Sequence, residues 1–376
     1  MVRKLLVTGV ITALVVALAV LAPLVNSSLS GLNSYLVSFK DDVRNHITVT
    51  LEVYKNNKLV VKKVGDPISD QWLAVVTAFL LGMAEYFDIS WKYEDGTASG
   101  ANEYEWFGTE YWEGNPIPKI AVGTGNTAYN SDYALAGKVM EQELNSDYIS
   151  VSDTGSSFNI TFAYSFDVNS DYNVSEVGLF IGMDPGSKDF SWILVAHDNF
   201  STVILHPQDV LSIKYTFIID YSKPPFLKTF WELLIDYFLG LRGAGCPVGS
   251  TRIDLGSRGD TYYYPEIKFA YVLSDTAWSP TITSYDASES WKFRKPYYLS
   301  YENQNITLKT IAIQEDIKQE YNTYGLMIYL YADTDPSQYK SYTNIPIAYI
   351  RFDNAPLHVD WMTYFDVKLS IQFNQG

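Results

Sequence analysis

Asn159-Ile160-Thr161-Phe162, Val174-Ser175-Glu176-Val177-Gly178-Leu179-Phe180, Ile193-Leu194-Val195-Ala196-His197 and Val210-Leu211-Ser212-Ile213-Lys214-Tyr215 follow one another with Asp, Asn, Gly and Pro between them. Short runs of β-branched and aromatic residues suit a pleated, half-buried surface, and the residues between them turn the chain. From Lys119 onward the sequence keeps this texture, which reads as antiparallel sheet. The expected fold class is mainly β: two tandem antiparallel β-sandwich-type domains, each with one apolar helix, plus an N-terminal transmembrane or signal helix.

Upstream, Ile47-Thr48-Val49-Thr50-Leu51-Glu52-Val53-Tyr54 alternates with period two, breaks at Asn56-Asn57 and resumes from Lys58 to Val64, a hairpin pattern. Next, Trp72, Leu73, Val76, Phe79, Leu80 and Met83 make one apolar face of a helix with Ser69 or Asp70 as N-cap and Gly82 near its end. A second set of segments echoes the first in order. Thr229 to Gly240 echoes the Trp72 to Gly82 helix, and Lys268-Phe269-Ala270 echoes Lys119-Ile120-Ala121. Asn305-Ile306-Thr307 echoes Asn159-Ile160-Thr161, Gly325-Leu326-Met327 echoes Gly178-Leu179-Phe180, and Val367 to Ser370 echoes Ile213 to Thr216. A collinear series of this kind points to duplication. The divisions expected are an anchor or signal over 1–28, a stalk or donor segment over 29–45, a first β-domain over 46–222 and a second over 223–376, with Pro224-Pro225 at the junction.

Lys119-Ile120-Ala121-Val122-Gly123-Thr124-Gly125, followed by Glu176-Val177-Gly178-Leu179-Phe180 and the later strands, resembles the Gly-Thr-Gly … Glu-Val-Gly-Leu-Phe signature of a β-domain in tail-fibre-type structural proteins of viruses that infect bacteria and archaea. The likeness covers roughly Ile68 to Tyr221 and rests on the order of its motifs. It implies a structural protein, not an enzyme, with no cofactor and no catalytic residue to carry over. The expectation is a spike, turret, tail or fibre subunit of an archaeal virus, working in assembly and host attachment. Alternatives are an archaeal pilus, thread or envelope-layer subunit, and a secreted polysaccharide-acting enzyme.

Arg3 and Lys4 precede an apolar run from Leu5 to Val25 without a charge. About 20 such residues cross a bilayer as a helix. A retained anchor and a cleaved signal are both open, and both export the body, with the N-terminus inside under the positive-inside rule. The resulting location is a virion surface or the outer face of a membrane, single-pass. A net charge of −16 repels phosphate and excludes nucleic acid as a partner. The partners expected are further copies of the chain, because exposed sheet edges tend to pair, together with other virion or surface proteins, the membrane through Leu5–Val25, and a host-surface glycan. If the body is exported, Asn26, Asn159, Asn173, Asn199 and Asn305 stand in glycosylation sequons.

Chemistry is sparse. Gly123-Thr124-Gly125-Asn126-Thr127-Ala128 fits the dinucleotide fingerprint formally, with a short helical stretch from Tyr133 to Leu144 after it, but the alternating sequence beyond lacks the βαβ context. It reads as a turn that ends a strand. Asp167, Asn169, Asp171 and Asn173 begin like a calcium loop, yet Tyr172 and Gly178 stand where an EF-hand wants Gly and Glu, leaving a polar loop or a looser site. His46, His197, His206 and His358 have no paired metal spacing, and Cys246 has no intrachain disulfide partner. The segment with Trp91, Tyr93, Tyr104, Trp106, Tyr111 and Trp112 places aromatic rings beside carboxylates and is the candidate interface or glycan contact.

Overall fold

The computed structural model describes residues 33–372 other than 66–67, 82–88, 99–116, 130, 184–190, 243, 247, 249–265, 275–277, 282–297, 303–304, 313–320, 334–343, 353–354 and 360–362. Leu5–Val25, Asn26, Tyr104, Trp106, Tyr111 and Trp112 lie outside these residues. Among the described helices, none is long and apolar enough to cross a membrane.

The chain is mainly β. β1 (Asn33–Asp42) leads through a 3-10 turn (Val43–His46) into the hairpin of β2 (Ile47–Lys55) and β3 (Lys58–Val64). Asn56 and Asn57 both take positive φ, 50 and 64 degrees, as a tight two-residue hairpin turn requires. Helix α1 (Asp70–Leu81) follows, capped by Ser69, whose Oγ accepts from the Trp72 N–H at 3.2 Å. Then come β4 (Ile117–Gly123), β5 (Lys138–Glu143), β6 (Ile149–Asp153), β7 (Ser157–Asp167), β8 (Tyr172–Met183), β9 (Ser191–Leu205) and β10 (Val210–Asp220). The helical stretch expected between Tyr133 and Leu144 is instead strand β5, where Lys119 faces Glu143 and Ile120 faces Gln142 across the ladder. Lys, Met, Glu and Gln suit a helix, but intrinsic propensity is a weak determinant and pairing with β4 overrides it.

These strands make a five-stranded sheet, β3-β2-β10-β7-β6, and a four-stranded one, β5-β4-β8-β9. Alternate residues of each turn inward: Val49, Leu51 and Val53; Phe158, Ile160 and Phe162; Leu211, Ile213, Tyr215, Phe217 and Ile219 from one, and Ile120, Val122, Val177 and Leu179 from the other, share one buried cluster. Burying a side chain of this size is worth about 1.5–3 kcal/mol. The same cluster holds Trp72 and Val76 of α1.

Beyond β10, helix α2 (Lys228–Leu233) runs on as a π-helical turn (Leu234–Phe238), with every residue after Lys228 buried. After it come β11 (Glu266–Ser274), β12 (Tyr298–Glu302), β13 (Asn305–Ala312), β14 (Tyr321–Thr323), β15 (Gly325–Asp333), β16 (Asn344–Arg351), β17 (Leu357–Val359) and β18 (Thr363–Gln372). Their sheets run β11-β15-β16, β1-β18-β13-β12 and β14-β17. The order β4-β8-β9 thus recurs as β11-β15-β16, and β10-β7-β6 recurs as β18-β13-β12.

Finer features recur with it. Leu179 faces Ala196 and Phe180 faces Leu194, so Val195 is an extra residue whose carbonyl accepts the Ser69 N–H at 2.8 Å. Likewise Ile328 faces Ala348 and Tyr329 faces Pro346, and the carbonyl of the extra Ile347 accepts the Leu227 N–H at 3.0 Å. A bulge frees a strand carbonyl in this way, and both halves use it to dock the segment leading into a helix. Isolated bridges join Ile68 to Ala196 and Phe226 to Ala348. The hydroxyls of Ser69 and Thr229 donate to the carbonyls of Leu194 and Pro346.

The pairing also corrects part of the sequence match. Leu179 corresponds to Ile328 and Ile120 to Tyr271, so the echoes drawn from Gly178-Leu179-Phe180 and Lys119-Ile120-Ala121 are each two residues out of register. A slip of two keeps every side chain on its own face, which is why alternation could not detect it. The echoes in the other sheet are in register, with Thr161 facing Thr216 and Thr307 facing Ser370.

β1 corrects another expectation. The segment 29–45 is expected to be a stalk or a strand donated to a neighbouring copy, with no partner in the first domain. All ten residues of β1 pair in parallel with β18, from Asn33 opposite Thr363 to Asp42 opposite Gln372. This one parallel pair departs from the all-antiparallel expectation, and it puts β1 beside β18 where β2 stands beside β10. The turn after it is firmly held. Val43, Arg44 and His46 are buried, Arg44 Nη2 lies 2.6 Å from Asp70 Oδ1, and the His46 ring meets Phe226 and Trp231, each at 5.4 Å.

Candidate functional site

The Gly-Thr-Gly and Glu-Val-Gly-Leu-Phe segments meet. β4 lies beside β8 with Gly123 opposite Glu176, and the Glu176 carboxylate, fully buried, reaches under the loop that follows β4. Its Oε1 accepts from the backbone N–H of Gly125 at 2.8 Å and of Gly137 at 3.0 Å; its Oε2 accepts from Ala136 at 3.2 Å and faces His197 Nε2 at 3.1 Å. His197 Nδ1 in turn lies 2.9 Å from Asp132 Oδ2. Ser175 Oγ donates to the Gly125 carbonyl at 2.6 Å, and Asn199 Nδ2 to that of Asn126 at 3.0 Å.

This clasp explains the glycines. A Cβ on Gly123 or Gly125 would fall inside contact distance of the Glu176 carboxylate. Desolvation raises the Glu176 pKa, but His197 and the N–H groups of Gly137, Gly125 and Ala136 outweigh it and bring the value to about 2. Both ring nitrogens of His197 face carboxylates, so the ring bridges two acids and is not offered to a substrate. The arrangement binds loop to sheet. Sequence reading left Glu176 and His197 without a role; the available signal was an acid in a run of apolar strand residues, downstream of two glycines.

Two further polar clusters tie strands together, the first buried and the second running from buried Lys119 out to exposed Lys138 and Glu141. Asp198, fully buried, meets Lys63 Nζ at 3.0 Å and accepts from Tyr215 Oη at 2.7 Å. Lys119, buried, lies 2.7 Å from Glu94 and 2.9 Å from Glu141 with its Nζ 4.0 Å from the Trp192 ring centre, and Lys138 joins the same two acids at 2.8 and 2.7 Å. Desolvation raises the Glu141 pKa, yet hydrogen bonds from Lys138 and Lys119 hold it below its ordinary value.

The outer face of the five-stranded sheet differs in character. Thr50, Thr216, Thr161 and Ser150 form one row across four strands, and the Thr161 and Thr216 hydroxyls lie 3.0 Å apart. Beside it, Glu52 takes hydrogen bonds from Lys62 at 2.8 Å and Tyr54 at 3.0 Å and lies 3.3 Å from Lys214. The Lys62 and Tyr54 bonds, ahead of the opposing desolvation, bring its pKa to about 2.

Of the aromatic candidates, Trp91 and Tyr93 are 2% and 3% exposed and stack edge to face at 6.4 Å. They belong to the core, so neither ring offers a face to another molecule. Among the sequon residues, Asn173 is exposed, Asn159 and Asn199 are half-buried, and Asn305 opens β13. In the Asp167 to Asn173 loop, Asp171 pairs with His206 at 2.7 Å and Asn169 accepts from Tyr172 Oη at 3.3 Å. No cluster of three or more metal-ligating side chains occurs among the described residues. Cys246 is half-buried, and desolvation raises its thiol pKa.

No protein-family model matches this chain, and no curated protein does.

Proposed function

We propose that this chain is a structural subunit of a virion surface, a spike, turret, tail or fibre component of an archaeal virus, that assembles with copies of itself and takes part in host attachment. In this reading it consists of two tandem β-sandwich-type domains descended from one by duplication, tethered to a membrane through Leu5–Val25 with its body outside, and has no catalytic role.

The observation that carries the proposal is the use made of the tail-fibre-type signature. Glu176, its ionisable side chain, is committed to three backbone N–H groups and a histidine, so the signature serves to hold a β-domain together. The recurrence of strand order, bulge and helix docking in the two halves supports the duplication. The test is to raise antibodies to the chain and examine purified particles and host envelopes by immunogold microscopy, with sedimentation of the detergent-extracted protein. Regular labelling on particles and an oligomer are expected. Label confined to cellular threads or envelope would move the assignment to a cell-surface subunit, and a monomer absent from both would overturn it.

A further inference from the structure

We propose that the outer face of the five-stranded sheet carries a binding trough for an acidic glycan. The inference goes beyond the assembly reading and stands without it. The trough, about 410 Å³, has a floor of small side chains on the two inner strands β10 and β7: Ser212, Ser165 and Ala163. Tyr54 rises on one side, in the same row as Ser212 and Ser165. Tyr148 rises on the other, in the turn just before β6. Three strand spacings put the two rims about 14 Å apart, the scale of a short oligosaccharide.

Both rings are held in advance. Tyr54 Oη is tied to Glu52 at 3.0 Å, and the Tyr148 ring meets the edge of Tyr164 at 4.9 Å. Fixed aromatic planes with a polar tip give contact area at little entropic cost. The Ser165 and Ser212 hydroxyls lie 2.7 Å apart. One donates to the other, which leaves a second hydroxyl hydrogen and spare lone pairs for a ligand hydroxyl. Along the trough β10 is paired on both edges and β7 on its β10 edge, with the turn that carries Tyr148 beside its other edge, so the floor is read through side chains.

Charge selects the kind of sugar. Among the described residues Lys214 is the only charged one lining the trough, in a chain whose net charge is −16. Its carboxylate neighbour Glu52 sits closer to Lys62, at 2.8 Å against 3.3 Å, and the Lys214 side chain is 45% exposed. An ammonium has three hydrogens to donate, so Lys214 retains capacity for a carboxylate or sulfate carried on a sugar ring.

The test is titration of the full-length chain with a soluble polyuronate and, in parallel, a neutral glucan of the same length, followed by calorimetry at low and moderate salt. Polyuronate binding that weakens with salt is expected, with at least a tenfold loss in Lys214→Gln and in Tyr148→Ala and complete loss in Ala163→Glu, all three retaining the parent circular dichroism and melting temperature. The acidity of the chain makes indiscriminate polyanion binding unfavourable, so binding unchanged in all three variants would place the sugar elsewhere and overturn the assignment. Equal binding of glucan and polyuronate would overturn the acidic specificity. No polyuronate binding, with oligomers dissolved by Ala163→Glu, would overturn the proposal by showing the face to be a contact between copies of the chain.

Discussion

In the four-stranded sheet, Gly123 faces Glu176 and His197 lies one row further along; in the three-stranded sheet the matching places hold Ser274, Gly325 and Tyr349. The acid has become a glycine, the glycine a serine and the histidine a buried tyrosine. A Cβ on Gly325 would stand 2.5 Å from the Tyr349 ring, so the aromatic side chain fills the space that a carboxylate and an imidazole share in the other half. Yet the bulge and the docked helix are present in both. The difference separates scaffold from fitting: bulge and helix belong to the architecture, whereas the carboxylate clasp belongs to one loop. A second contrast concerns closure. The five-stranded sheet is completed beside β10 by the β2–β3 hairpin, an antiparallel neighbour from the same half of the sequence, while β18 is completed in parallel by β1, from the other half.

The closure contrast predicts the largest effect. Deleting residues 1–42 should abolish hydrogen-exchange protection across Thr363–Gln372 and Asn305–Ala312, while Val210–Asp220, which pairs with β2 and β7, keeps its own. Undiminished protection of the C-terminal strand would show that β1 is a passive addition.

Removing the clasp comes next. Glu176→Ala leaves three buried N–H groups and an imidazole without their acceptor, and should cost about 3–5 kcal/mol in denaturant unfolding. A loss below about 1 kcal/mol would mean that the loop rearranges freely and that the clasp is ornamental.

Acid tests the same group without mutation. The Glu176 pKa is about 2 in the folded chain against an ordinary 4.5, so its stabilisation is complete above pH 4.5 and is lost as the pH falls through 2. The amount is about 3 kcal/mol. Melting temperatures of the parent should fall more steeply over that window than those of Glu176→Gln, and parallel curves would remove the carboxylate from the explanation.

The smallest effect sharpens the comparison most. Gly123→Ser alone should destabilise by about 1–3 kcal/mol because its Cβ meets Glu176. Combined with Glu176→Gly, which copies the Gly325 and Ser274 pairing, the serine should become nearly neutral, a coupling of at least about 1 kcal/mol in a double-mutant cycle. Strict additivity would mean that the two halves do not share this packing rule.

Local signals were legible in the sequence where local physics decides the outcome. Asn56-Asn57 announced a hairpin, Ser69 a helix cap, and the alternation from Ile47 to Tyr54 fixed which residues face inward. Lys138 to Glu143 misled because its residues suit a helix and only β4 makes them a strand. Trp91 and Tyr93 looked like surface anchors because neighbouring carboxylates give no measure of burial. The Glu176 clasp joins residues 125, 136, 137 and 197 to one carboxylate, and no periodicity encodes that convergence.

The pairing of β1 with β18 has a consequence for synthesis. Ser38 lies opposite Lys368, 330 positions further on, so at about 5–20 residues per second the first strand waits about 20–60 seconds for its partner to be made. Throughout that interval a nascent chain carries a strand with no mate, a liability for premature association. Only a ribosome that has passed Gln372 yields a chain able to close this sheet, and a product terminated before Thr363 keeps it unsealed. The pairing of β1 with β18 thus acts as a check that synthesis has run through Gln372 before this sheet is sealed.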